Sequence, residues 1–193
     1  LKQNLLIKNQ HKQSFFVNSK HFIDLFEMEE VDKFLNEVDR FLDFIYPGAK
    51  KFFIKLNKIN VKYFLVTLSA DFIAKKVKKK FNFSDCYSME YKLVNVGSKQ
   101  FFIGKYAVNV FSPSNFKVGC IDKFKSNNGD FTKLLVVGNS MDDLLLFKKA
   151  YFRMGVNPSE ELLDKVKFDL ILWSKTGDPW ENFCDFFNKT LIR

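Results

Sequence analysis

Leu134-Leu-Val-Val-Gly-Asn-Ser-Met-Asp-Asp143 sets the reading of this chain. A short apolar run stops at Gly138, passes through Asn139 and Ser140, and meets two carboxylates at the front of a second apolar stretch. That order predicts a buried strand, a tight turn and the first turn of a helix. In open α/β sheets the carboxyl ends of parallel strands collect ligands, because helix N–H groups point there without intrahelical partners. Asp142 and Asp143 carry two readings: favourable charge at a helix N-terminus, or oxygen ligands for a metal ion.

Working outward, apolar runs alternate with segments of helical spacing. Tyr63–Leu68, Lys133–Val137, Phe152–Val156 and Phe168–Trp173 are short and nearly continuous, as strands covered on both faces are. Between and before them, Glu29–Ile45, the stretch around Ala49–Leu56, Asp71–Lys80, Gly119–Phe124 and Asp142–Lys148 read as helices. Pro158-Ser-Glu-Glu161 opens a short helix, and Asp178-Pro179 supplies an N-cap and first-turn pair for a closing one. Glu90–Val110 alternates around Gly97-Ser98 and Gly104, the pattern of a β-hairpin. Leu5–Ile7 and Phe15–Val17 are two further strand candidates near the start. The fold class expected is α/β, a three-layer Rossmann-like parallel sheet with helices on both faces. One domain over 1–193 is expected, with a minimal helical segment at 22–46 and a β-hairpin insertion at 90–112.

Composition excludes several classes. With 47% hydrophobic residues and 25 Phe in 193, the chain has ample material for a core and is not a disordered segment. No apolar run reaches the ~18–20 residues of a membrane span. The three cysteines, Cys86, Cys120 and Cys184, form no CxxC pair, which points to a reducing, cytoplasmic setting. The net charge of +9 includes the run Lys75-Lys-Val-Lys-Lys-Lys80. That run is either a solvated helix face or a polyanion patch; few aromatics interleave with it, so nucleic acid is not the expected partner.

Three elements in order complete a pattern: Tyr46-Pro-Gly-Ala-Lys-Lys-Phe-Phe before Lys62-Tyr-Phe-Leu-Val-Thr-Leu-Ser-Ala-Asp71, then Asn115-Phe-Lys117, then Gly138-Asn-Ser-Met-Asp-Asp143 leading into Gly155-Val-Asn-Pro158. Over residues 46–175 this resembles the haloacid dehalogenase (HAD) superfamily, in its phosphoserine-phosphatase-like branch. The resemblance implies an aspartyl nucleophile on a first strand, an acid/base aspartate two residues on, a Ser and a Lys for the phosphoryl group, and acids holding Mg²⁺. By that correspondence Ser69, with Ala70 beside it, and Lys117 are the phosphate-binding residues, with Lys123 and Lys125 as competitors for the lysine role. Asn139 and Asp143, with Asp142 as a further candidate, stand at the metal positions.

The chain departs from that pattern at the front. It contains no Asp-x-Asp. A first strand at Ser14–Val17 puts Asn18 at the nucleophile and Lys20 at the acid/base; a strand at Leu5–Ile7 puts Lys8 and Gln10 there. Asn139 likewise replaces a metal-binding carboxylate. The expectation is a HAD-like protein that has lost phosphatase activity and binds a phosphorylated small molecule or another anion, or a protein partner, with Mg²⁺ held weakly or not at all. The competing expectations are an active Mg²⁺-dependent phosphatase and a polyanion-binding protein.

Overall fold

The computed structural model describes residues 30–43, 46–106, 113–131, 133–174 and 177–190. Helices α1 (Val31–Asp43) and α2 (Pro47–Lys58) lead into strand β1 (Phe64–Ala70), helix α3 (Asp71–Phe81) and strand β2 (Asp85–Met89). A hairpin of β3 (Tyr91–Val96) and β4 (Lys99–Tyr106) precedes α4 (Pro113–Asn128). Then come β5 (Leu135–Gly138), a 3₁₀ turn over Met141–Asp143, α5 (Leu144–Lys149), β6 (Phe152–Val156), α6 (Glu160–Leu163), β7 (Leu170–Leu172) and α7 (Pro179–Thr190).

Among the described residues the strands outside the hairpin pair in parallel: β1 with β2, and β5 with β6 and β6 with β7. Consecutive residues of β5 serve opposite faces, as a pleated strand requires. Val136 is buried among Ile121, Leu146, Phe147 and Leu162, under α4, α5 and α6. Leu135 packs on the other side, against a cluster of Phe52, Leu56, Met154, Phe183 and Phe187 from α2, β6 and α7. These two cores make the three layers that the alternation of strands and helices implied.

Local chemistry explains the element ends. α3 stops at Asn82, which takes a left-handed φ of 56° while its N–H returns to the Lys78 carbonyl. Asp178 does more than the cap its place before Pro179 suggested. Its Oδ1 accepts from Trp180 N at 3.0 Å, and its Oδ2 accepts from Gly48 N at 2.5 Å, so one carboxylate holds the first turns of α7 and α2 together. Gly48 must be glycine there: a Cβ would lie 2.6 Å from Glu181 N.

Two sequence readings shift. β2 was not expected; Asp85-Cys-Tyr-Ser-Met89 looks polar, but Tyr87 and Met89 are buried and Asp85 is satisfied by Cys86 N and Tyr87 Oη, each at 2.8 Å. α4 runs from Pro113, well before the expected Gly119 start. The hairpin is described over Tyr91–Tyr106, and residues 107–112 of the expected 90–112 insertion lie outside the described residues. The strand candidates at Leu5–Ile7 and Phe15–Val17 also lie outside them.

The lysine run meets its charge partners. Lys75 pairs with Asp71 at 2.6 Å, Lys76 with Asp39, Lys78 with Asp85 at 3.5 Å and Lys80 with Asp43 at 2.7 Å. Two of these acids belong to α1, whose Val31, Val38 and Leu42 are buried. Lys99 of β4 pairs with Glu30 at 2.8 Å, and Glu30 also bridges to Phe101. Four of the five lysines in Lys75–Lys80 thus meet a carboxylate, and two of those pairs join α1 to α3.

Candidate functional site

Lys117 sits on the inward face of α4, in line with Cys120, Ile121 and Phe124 at the spacing of a helical stripe. Burial of that stripe carries the ammonium into the protein, where Lys117 is 7% exposed. Its Nζ meets Asp143 Oδ1 at 2.6 Å. The other oxygen of Asp143 accepts from Asn139 N at 3.0 Å and Ser140 N at 3.2 Å, with Ser140 Oγ at 3.5 Å. Every strong acceptor direction of this carboxylate is directed at the turn or at Lys117. The charge is thus taken out of water only where it is paired and hydrogen-bonded.

Gly138 makes the turn possible. A Cβ on it would fall 2.6 Å from Asp143 Oδ2, so only glycine lets the carboxylate fold back over the strand end. The next residue, Asn139, is exposed, and its carbonyl accepts from Ser159 N at 2.9 Å, tying this turn to the one after β6. Asp142 lies half-buried beside the pair. Its carboxyl is pushed above the usual value by burial, against the pull of Lys117 and with a further push from Asp143.

The two other lysines considered for the phosphate role are engaged elsewhere. Lys123 Nζ lies 5.7 Å from the Tyr87 ring centroid. Lys125 pairs with Asp130 at 3.3 Å and stands over Phe131. Lys117 is the lysine that reaches the β5 turn.

Ser69 and Ala70 end β1. Ser69 is exposed, and its N–H donates to Thr67 Oγ1 at 3.1 Å. Ala70 occupies the N-cap of α3 and offers no side-chain acceptor, so no side chain caps that helix start. Ser69 and Asn139 therefore both mark carboxyl ends of parallel strands. Asn18 and Lys20, like Lys8 and Gln10, lie outside the described residues. Asp71 is the residue that reasoning from the sequence passed over. Besides Lys75, it accepts from Tyr91 N at 3.4 Å and so links the α3 start to the hairpin; its place directly after Ser69-Ala70 was the available signal.

No family model and no curated protein matches this chain. Solved structures do. A substrate-bound phosphoserine phosphatase complex superposes with a TM-score of 0.73 at 16% identity, over 96% of this chain and 83% of that one. A phospho-aspartyl intermediate analogue of phosphoserine phosphatase gives 0.66 at 18% identity, over 83% and 73%. A HAD-family hydrolase from Salmonella enterica serovar Typhi gives 0.73 at 13% identity, over 94% and 60%. The chain has the HAD fold in the form that phosphoserine phosphatases take, as its motif order implied.

Proposed function

We propose that this HAD-fold protein binds a phosphorylated small molecule or a related anion at the carboxyl ends of β1 and β5, without ordinary phosphatase turnover. The observation that carries the reading is the buried Lys117–Asp143 pair with neutral Asn139 beside it. On this reading the anion is held by the Ser69 hydroxyl, the side-chain-uncapped N-terminus of α3 and the Lys117 ammonium, which it would share with Asp143. Within the proposal the chain is one domain, 1–193, with 22–46 as a reduced cap and 90–112 as an insertion beside it. The thiols of Cys86 and Cys120, neither in a disulfide, fit a cytoplasmic setting. Among the described residues no helix is long and apolar enough to cross a membrane.

The fold's usual Mg²⁺ does not fit the described donors. Mg²⁺ takes hard oxygens and is usually anchored by carboxylates. Here Asn139 brings an amide, both Asp143 oxygens are engaged, and the Asp142 carboxyl is shifted towards its protonated form. Among the described residues no group of three His, Cys, Asp or Glu side chains comes together. Asn18 at the nucleophile position would likewise form no acyl-phosphate, since an amide is not an anionic oxygen nucleophile.

A second reading has its own support. The fold neighbours include a phospho-aspartyl intermediate analogue, and an acid supplied from outside the described residues would restore the nucleophile. Calorimetry with inorganic phosphate and with phosphoserine, in EDTA and in Mg²⁺, separates the two, alongside hydrolysis of p-nitrophenyl phosphate. The proposal expects anion binding that is indifferent to Mg²⁺, weakened by Ser69→Ala, with no turnover. Mg²⁺-dependent turnover abolished by Asp143→Asn would overturn it.

A further inference from the structure

Strands β1, β5, β6 and β7 each receive an exposed lysine two or three residues before they begin. These are Lys62, Lys133, Lys149 and Lys167 in turn. Contacts set the four entries side by side. Lys62 Nζ donates to the Asn128 carbonyl at 3.3 Å, which places the approach to β1 beside the end of α4. Lys133 Nζ stands 5.3 Å from the Tyr151 ring centroid, joining the approach to β5 with that to β6. Asp169 N donates to the Arg153 carbonyl at 3.0 Å, which brings the approach to β7 alongside. The amino-terminal ends of these strands therefore carry a row of ammonium groups.

Helix dipoles do not account for this row. A dipole favours cations within the last turn of its helix, which covers Lys149 at the end of α5. Lys62, Lys133 and Lys167 lie in connections, after their helices have ended. Among the described residues none of the four lysines forms an ion pair with a carboxylate. The acids near this edge are partly taken. Lys125 holds Asp130 at 3.3 Å and Arg153 holds Asp169 at 3.8 Å, which leaves Asp122 and Asp164. Exposed apolar side chains share the edge: Ile59 and Val61 before β1, and Tyr151, 61% exposed, before β6.

We infer that this edge is a docking surface for an anionic lipid bilayer. Its lysines offer point charges to headgroup phosphates and carboxylates. Their aliphatic stems lie along apolar surface while the ammonium groups stay in water. Ile59 and Val61 are short apolar side chains suited to shallow burial among headgroups. A tyrosine such as Tyr151 favours the same depth, with its ring in the apolar layer and its hydroxyl in the wet one. Nucleic acid fits less well. The row holds no arginine fork for phosphate, and one exposed ring, not a series, for bases.

Bound this way, the protein turns the opposite strand ends, with Ser69 and Asn139, towards solution. The inference goes beyond the anion-binding reading, and either can fail without the other. Sedimentation of the full chain with vesicles tests it. Phosphatidylcholine vesicles that contain phosphatidylserine should carry the protein down, and vesicles of phosphatidylcholine alone should not. Raising salt from about 0.1 M to about 1 M should release most of it, since the screening length falls from about 10 Å to about 3 Å. Lys133→Gln with Lys167→Gln should weaken binding about 20-fold, at about fivefold for each lysine near an anionic surface. Lys33→Gln with Lys92→Gln removes the same charge from α1 and β3 and should weaken it less than about threefold. An equal loss in both pairs would mean that net charge alone is responsible and would overturn the proposal. So would failure to bind the phosphatidylserine vesicles, or binding to duplex DNA with none to vesicles.

Discussion

Lys117 Nζ lies 2.6 Å from Asp143 Oδ1, and each side chain is 9% exposed. Helix α4 and the β5 turn, far apart in the chain, are joined through this one ion pair. A buried pair is no guarantee of net stability, but breaking it from one side leaves a charge without water or partner. Lys117→Met should therefore lower unfolding free energy by about 3–5 kcal/mol. Urea denaturation checks this, and adding Asp143→Asn to the Lys117→Met protein should recover part of the loss. A loss below about 1 kcal/mol would mean the pair behaves as an exposed one.

Glycine positions give a paired prediction. Gly138→Ala drives a Cβ against Asp143 Oδ2 and should cost about 1–3 kcal/mol through a forced shift of the turn. Gly119, inside α4, has open space around its Cβ position. Gly119→Ala should raise stability by about 0.4–1 kcal/mol, because alanine has less backbone entropy to lose. Thermal denaturation of the two variants side by side checks both signs.

The Asp142 carboxyl holds its proton more tightly in the folded chain than in the unfolded one. Its ionisation therefore opposes folding. The cost is absent below the unfolded value of 3.8, grows as pH rises through the raised folded value, and is complete above it. Asp142→Asn should accordingly raise the melting temperature at about pH 7 and leave it unchanged at about pH 3. Melting curves at the two pH values decide it, and an equal shift at both would point to packing instead.

Asp178 joins the starts of two helices, so its loss should be felt in both. Asp178→Ala should cost about 1–2 kcal/mol, at the upper end for a cap. Hydrogen exchange should accelerate in the first turns of both α2 and α7, whereas loss of a cap serving α7 alone would leave α2 unchanged.

Where local pattern reports on local structure, the sequence was readable. β1, β5 and β6 are apolar runs long enough to be buried on both faces, and α1 shows its stripe through Val31, Val38 and Leu42. β2 was hidden because a strand with Asp85 at its start looks like a turn until Cys86 N and Tyr87 Oη are seen to satisfy that carboxylate. The lysine run could not be read from its own residues either, since Asp39 and Asp43 lie on another helix.

The candidate site divides in the same way. Residue identity alone determined that Asn139 brings an amide where a carboxylate was expected, that Gly138 precedes it, and that no Asp-x-Asp occurs anywhere in the chain. Motif order alone also pointed to the HAD fold. Which lysine reaches the turn was decided by tertiary structure: Lys117, Lys123 and Lys125 share one helix, and only its docking against β5 turns the first inward. The same holds for Asp143, which carries both a helix-start and a metal-site signature in one dimension. Its two oxygens were assigned by the fold, because hydrogen bonds and ion pairs depend on distances of about 3 Å that spacing along a chain does not encode.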